Sequence, residues 1–361
     1  MEALAASTTR YTEGPGGTEA APNLKPPRPT IREHYVHIDD GHFDNSGDYY
    51  SNPGEVQQII KDVLEDKPAH ILLFAHGGLN SVSSGAARVG QWRQVFKANG
   101  IHEIHFIWET GFTEELADIL RAKLGLAERR ASGFSGWWDS VLERFAQPVG
   151  SALWTEMQWD AERAFQPGNA GDQFVAWLIE GMKQMPAGER PQIQLVGHRA
   201  GSILQGHLLK SWQRNGGTPV SNLILFAPAC THQFFGSSIK PALADSTLRQ
   251  LHHFLLDDKA EQEDNVANIY RKSLLYLVPR SFQSRDGTVP ILGMEKYLEQ
   301  LDCSGIQDRV EHYTPSKRSD FTATNSHGGF DDDETTMNSM LKLVLGREPD
   351  HKFDGGSLSG Y

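Results

Sequence analysis

The chain has 361 residues, 39% apolar and 22% charged, a globular balance with enough apolar material to bury a sizeable core. Its net charge of −12 repels phosphate backbones and excludes nucleic acid as the expected main partner. Two distant cysteines, Cys230 and Cys303, exclude a disulfide scaffold and a CxxC zinc module; with no apolar leader in Met1–Arg10 and no membrane-length apolar run, a cytoplasmic setting is expected.

Residues 1–30 are rich in Gly, Pro, Thr and Ala and end in Lys25-Pro26-Pro27-Arg28-Pro29, a composition that predicts a disordered arm. Residues 31–347 read as one domain. Its first helix has Asn52 as N-cap, Pro53 at the first helical position and Glu55 placed to close a capping box. Val56, Ile59, Ile60, Val63 and Leu64 then fall on one helical face. Ala69 to Ala75 is a continuous apolar run, the pattern of a strand buried on both faces. Further strands are predicted at Glu103 to Trp108, Gln192 to Val196, Asn222 to Phe226, His252 to Leu256 and Val310 to Tyr313, with helices between them. This alternation predicts the α/β class: a mostly parallel central sheet flanked by helices. Residues 112–185 interrupt the rhythm and predict an inserted helical lid, which begins with Leu116, Ile119, Leu120 and Leu124. Five of the eight tryptophans lie there (Trp137, Trp138, Trp154, Trp159 and Trp177), either as the insertion's own core or lining an apolar pocket. Residues 348–361, with Gly355, Gly356 and Gly360, predict a flexible tail.

The chemistry concentrates in three stretches. The strand from Gln192 runs into Gly197-His198-Arg199-Ala200-Gly201-Ser202, and a helix follows with Ile203, Leu204, Leu208 and Trp212 on its core face. Two glycines flanking a central residue at this spacing relieve clashes in a very tight strand-to-helix turn. The strand at Ala69–Ala75 runs into His76-Gly77-Gly78-Leu79-Asn80-Ser81, whose small residues let a backbone approach a substrate closely. Late in the chain comes Thr324-Asn325-Ser326-His327-Gly328-Gly329, ahead of a last helix with Met337, Met340, Leu341 and Val344 on one face. The acidic run Asp331–Glu334 there complements the helix dipole.

In this order the three stretches resemble the α/β-hydrolase superfamily, lipases and esterases in particular, over about residues 33–347. The glycines Gly197 and Gly201 match the nucleophile elbow G-x-S-x-G, and His76-Gly77-Gly78 looks like an HG-type oxyanion loop. The resemblance implies ester hydrolysis by acyl transfer on a small ester or lipid-like acyl substrate, with His327 as base and no cofactor or metal. Backbone N–H groups of Gly78 or Leu79 and of Ala200 would hold the oxyanion. For the acid, Asp257 and Asp258 follow the second strand beyond the elbow, Asp286 lies in a D-G-T-V-P loop, and Asp264 is a further choice.

The departure is Arg199, which stands where the family has its serine. Arginine has no attacking oxygen and keeps its proton; Ser202, one turn along, points elsewhere. Arg199 is then a replaced nucleophile in an otherwise complete hydrolase, the mark of a natural non-catalytic pseudo-hydrolase that binds a small anionic or acyl ligand, or part of a site turned to other chemistry. Other histidine groupings carry less. His37-Ile38-Asp39-Asp40-Gly41-His42 fits no zinc signature and reads as a surface turn, and His102 with His105 and the pair His252-His253 lie in strand patterns.

Overall fold

The structure, a computed structural model, describes residues 25–77, 81–108, 154–263 and 289–359. Its strands are β1 (Tyr35–Asp39), β2 (His42–Phe43), β3 (His70–Ala75), β4 (Ile101–Trp108), β5 (Gln192–His198), β6 (Val220–Phe226), β7 (Leu248–Phe254) and β8 (Val310–Tyr313). They form one 8-stranded sheet in the order β2-β1-β4-β3-β5-β6-β7-β8, parallel throughout except for the β1–β2 hairpin. The sheet is that of an α/β fold. The chain leaves β3 toward β4 on one side and returns to β5 on the other, so the strand order reverses between β3 and β5. In open parallel sheets the crevice at the carboxyl ends of such a pair is where sites are built.

The helices positioned by this sheet are α1 (Pro53–Glu65), α2 (Val82–Ala98), α3 (Ala170–Gln184), α4 (Gly201–Arg214), α5 (Asp258–Glu263) and α6 (Glu334–Leu345). In α1, Asn52 caps as expected, its side chain accepting the Glu55 N–H, while the Glu55 carboxylate pairs with Arg28. Adjacent residues of β4 show which helix covers which face. Phe106 meets Phe174 of α3 edge-on, and His105 packs against Trp92 of α2. Helices α1 and α4 lie with α3, the latter through Ser211 and Arg214 bonded to Asp172. Helix α6 is linked to α2 through Phe353, which is bonded by Asn338 and meets Trp92 and Phe96.

Four expectations change at this level. The tail is packed rather than flexible as far as Ser359: Phe353 is 2% exposed, its ring meets Trp92 and Phe96, and Asn338 of α6 bonds its backbone on both sides. The end of the expected disordered arm is docked, with Arg28 over the Tyr50 ring at 3.6 Å and a helical turn at Arg28–Ile31. The expected lid does not extend through 154–185. Trp154, Met157, Ala161 and Phe165 enter the main core, and α3 is a layer of the fold; residues 112–153 lie outside the described residues. Finally, the stretch read as a surface turn around His37 is β1 with its hairpin. Tyr35, Val36, His37 and Ile38 are buried there, because β4 shelters them by parallel pairing.

Candidate active site

Strand β5 ends at His198, and Arg199 takes φ +50°, a left-handed backbone that side chains other than glycine disfavour. The chain then enters α4 at once. The turn is held by hydrogen bonds around Arg199: its N–H donates to Phe226 O at 2.9 Å, and its carbonyl accepts from Ser202 N at 3.1 Å and Ala229 N at 3.0 Å. The Ser202 hydroxyl also donates to that carbonyl, at 2.7 Å, which commits it to holding the turn. The two flanking glycines are required by contact. A Cβ on Gly201 would lie 2.1 Å from the carbonyl oxygen of Ala75, and one on Gly197 would lie 3.0 Å from Gly201 backbone atoms. The elbow therefore crosses the end of β3 backbone against backbone.

The Arg199 side chain joins the three motifs. A Cβ on Gly77 would sit 3.0 Å from Arg199 Cδ, and one on Gly328 would sit 2.5 Å from Arg199 Nη2. Gly77 follows β3, Arg199 follows β5 and Gly328 follows His327, so the predicted loop, elbow position and late histidine converge at the switch point. Gly78 and Leu79, expected to supply an oxyanion donor, lie outside the described residues. Ala200, expected to supply the other, is buried at the start of α4.

His327 is buried, and its Nδ1 lies 3.4 Å from Glu261 Oε1, a carboxylate that is itself buried. The distance is long for a hydrogen bond. Among the described residues Glu261 is thus the carboxylate placed against His327, and it is not one of those expected. The Asp257 carboxylate is occupied by the backbone N–H and hydroxyl of Ser316, and Asp258 lies at the start of α5, where its carboxylate accepts from Gln262. Glu261 is one helical turn beyond Asp257, its N–H donating to Asp257 O at 3.0 Å. Counting strands leads to the segment after β7, and there the turn of α5 puts Glu261, rather than Asp257 or Asp258, against the histidine. Asp264 and Asp286 lie outside the described residues.

Beneath these groups is a buried charged cluster that the motifs do not announce. Asp331 Oδ2 lies 3.1 Å from Arg88 Nη2 and 3.2 Å from His198 Nδ1. Burial pushes the Asp331 carboxyl up, but His198, Arg88 and Arg199 outweigh it and hold it below the usual carboxylate range. Burial pulls the His198 imidazole down, against the opposing pull of Asp331. Of the run expected to complement the helix dipole, Asp333 caps α6, its side chain accepting the Thr336 N–H, whereas Asp331 faces inward. His76 is a structural neighbour: burial takes its imidazole down to about 3, its Nδ1 donates to Gly77 O at 2.7 Å, and Nε2 accepts from Trp108 N at 3.5 Å. It fixes the Gly77 backbone. Buried Cys230, whose thiol burial pushes up to about 12, offers no thiolate.

Among the described residues no group of three or more His, Cys, Asp or Glu side chains is arranged to hold a metal ion. His252 bonds Asn222 and Tyr313, and His253 faces His312. No helix among the described residues is long and apolar enough to cross a membrane. No protein-family model, curated protein or solved structure matches this chain.

Proposed function

We propose that the chain is a serine-hydrolase-type member of the α/β-hydrolase superfamily, lipase- or esterase-like, in which Arg199 occupies the nucleophile position and abolishes turnover. The observation that carries this reading is the backbone of Arg199: left-handed, at a glycine-flanked β-to-α turn, with its side chain against Gly77 and Gly328. A strained residue held at a strand end by surrounding structure is where a nucleophile is presented.

With a hydroxyl at this position the remaining groups have defined roles. Glu261 orients the ring through Nδ1, leaving Nε2 of His327 to take the hydroxyl proton as the oxygen attacks an ester carbonyl. The developing oxyanion is met by the Ala200 N–H and a donor from the Gly78–Leu79 loop. His327 returns the proton to the departing alcohol, and a water, deprotonated by the same nitrogen, releases the acid.

Arg199→Ser tests it. Loss of a triad nucleophile costs on the order of 10⁶ in turnover, so the gain should be of that kind rather than incremental. Short- and long-chain p-nitrophenyl esters and a fluorophosphonate probe are the readouts. A folded Arg199→Ser protein that cleaves no ester and takes no probe overturns the reading. The second reading, a non-catalytic protein binding a small anion, is favoured by the guanidinium ending beside Gly328.

A further inference from the structure

The three segments that meet at Arg199 come from distant parts of the chain, and a single carboxylate ties two of them to the helix that follows the third. Arg88 is on α2, the helix that begins directly after the His76–Asn80 loop. His198 is the residue before Arg199. Asp331 follows His327 by four residues, in the loop that leads to α6. Its Oδ2 is 3.1 Å from Arg88 Nη2 and 3.2 Å from His198 Nδ1, with all three side chains buried.

Stability does not explain this cluster well. Removing charges from water costs several kcal/mol per ion, and apolar side chains of similar volume commonly hold a core as well or better. The same loop already has apolar anchorage, since Phe330 stacks on Phe226 and Met337, Met340 and Leu341 are buried in the core. What a carboxylate adds is direction, because one oxygen is held between donors on two separate elements. The charged and titratable groups around it are Arg88 from α2, His198 and Arg199 from the elbow, and His327, which His198 also senses.

We propose that Asp331 is a positioning residue: its buried carboxylate fastens the His327 loop to His198 of the elbow and to Arg88 behind the Gly77 loop, keeping base and nucleophile position at one spacing. The kinetic test rests on the hydrolase reading above; the exchange test does not. In the Arg199→Ser protein, Asp331→Asn should lower kcat and the rate of fluorophosphonate labelling at least tenfold while KM stays within twofold. A double variant, Arg88→Met with Asp331→Asn, should fall no further than Asp331→Asn alone, because both remove the same link. In the unaltered chain, Asp331→Asn should raise amide exchange at least tenfold across 199–203 and 324–330 and leave α1 unchanged. The proposal is overturned if kcat and these segments keep their parent values, or if exchange rises equally in α1, which marks general destabilisation. If Asp331→Asn does not fold, His198→Gln severs one arm and is read the same way. An inactive Arg199→Ser protein removes the hydrolase reading and leaves the exchange comparison to decide on Asp331.

Discussion

The flanks of the sheet and the carboxyl ends of its central strands bury different kinds of atom. Between α1 and the sheet, Val56, Ile59, Ile60 and Val63 meet a core that includes Phe174, Leu178 and Ile179 of α3. On the other face the tail adds Phe353 to Trp92 and Phe96. These contacts are apolar, additive and tolerant of where each atom lies. At the ends of β3 and β5, by contrast, the chain buries His76, Arg88, His198, Glu261, His327 and Asp331 within one region. Burying such groups is costly unless each meets a partner, so geometry there is specified atom by atom. The contrast separates what holds the fold from what shapes the site, and it is open to direct test.

The largest effect should come from the apolar side. Phe353→Ala removes a nearly fully buried ring and should cost about 3–5 kcal/mol, the usual range for such truncations in a core. In the Arg199→Ser protein it should leave kcat unchanged at temperatures where the protein stays folded. Urea unfolding gives the first quantity and ester turnover the second. A matching loss of kcat would break the separation between flank and site. Truncation before residue 350 should act like Phe353→Ala, because the segment is a packed part of the fold.

Gly201→Ala should act in the opposite sense. Its Cβ would meet the Ala75 carbonyl oxygen at 2.1 Å, a backbone atom that can yield only by moving β3 or the elbow. Overpacking of this kind costs about 1–3 kcal/mol. Any shift moves residue 199 against Gly77, so on the proposed function turnover of the Arg199→Ser protein should fall at least tenfold, out of proportion to the stability change. Gly188, with open space around its Cβ position, is the control, where alanine should alter neither quantity.

Much of this site is written in local sequence, and its limits are physical. Gly197 and Gly201 are legible because a tight turn imposes a fixed spacing, and His76-Gly77 because it directly follows an apolar run. The strand at Val310–Tyr313 is read to the residue, and the others to within a few positions. Which carboxylate meets His327 is not legible, because the choice between Asp257 and Glu261 depends on how α5 turns after β7, a tertiary matter. Asp331 escapes for the same reason. In sequence it is one of a run of acidic residues before a helix, and only the fold shows that Asp333 caps while Asp331 turns inward. β1 escapes because its burial comes from β4, far along the chain. Local spacing reveals backbone requirements; side-chain pairing across elements does not leave a spacing to read.

A smaller effect isolates the backbone of the elbow from the Arg199 side chain. Arg199→Gly and Arg199→Ala both remove the guanidinium, so their difference reports conformation alone. At an ordinary position alanine is favoured, since glycine gives up about 0.5–1 kcal/mol of chain entropy. At φ +50° a Cβ costs roughly 1–2 kcal/mol. The glycine variant should therefore be the more stable, by about 0.5–1 kcal/mol in denaturant titration. An alanine variant of equal or greater stability would contradict a left-handed elbow, and with it the observation on which the functional reading stands.

The smallest effect lies away from the site, in a buried polar pair that shapes no strand end and so tests the contrast from its weak side. His34 Nδ1 lies 3.1 Å from Glu103 Oε1, with the histidine side chain 17% exposed and the glutamate fully buried. Burial pulls the His34 imidazole down, but the bond to Glu103 and its charge more than offset this and leave it raised above its ordinary value. A raised histidine means that the folded protein binds the proton more tightly than the unfolded chain. Its contribution to stability is therefore complete below about pH 6.5 and is lost as pH rises through the folded value. Many other histidines here are shifted down by burial, His105 and His253 among them, and they tilt the whole protein the other way. The readout is thus a difference: stability of the parent minus that of Glu103→Gln, by denaturation at pH 5.5 to 8.5 as roughly spaced points on the histidine titration. Glutamine keeps the size and a hydrogen-bond acceptor while removing the charge. The difference should be greatest at the acid end and shrink toward the alkaline end, with a span under about 1 kcal/mol because water still reaches His34. Turnover of the Arg199→Ser protein should not respond at either end. A difference that grows with pH would mean that Glu103 is not the group holding the proton on His34.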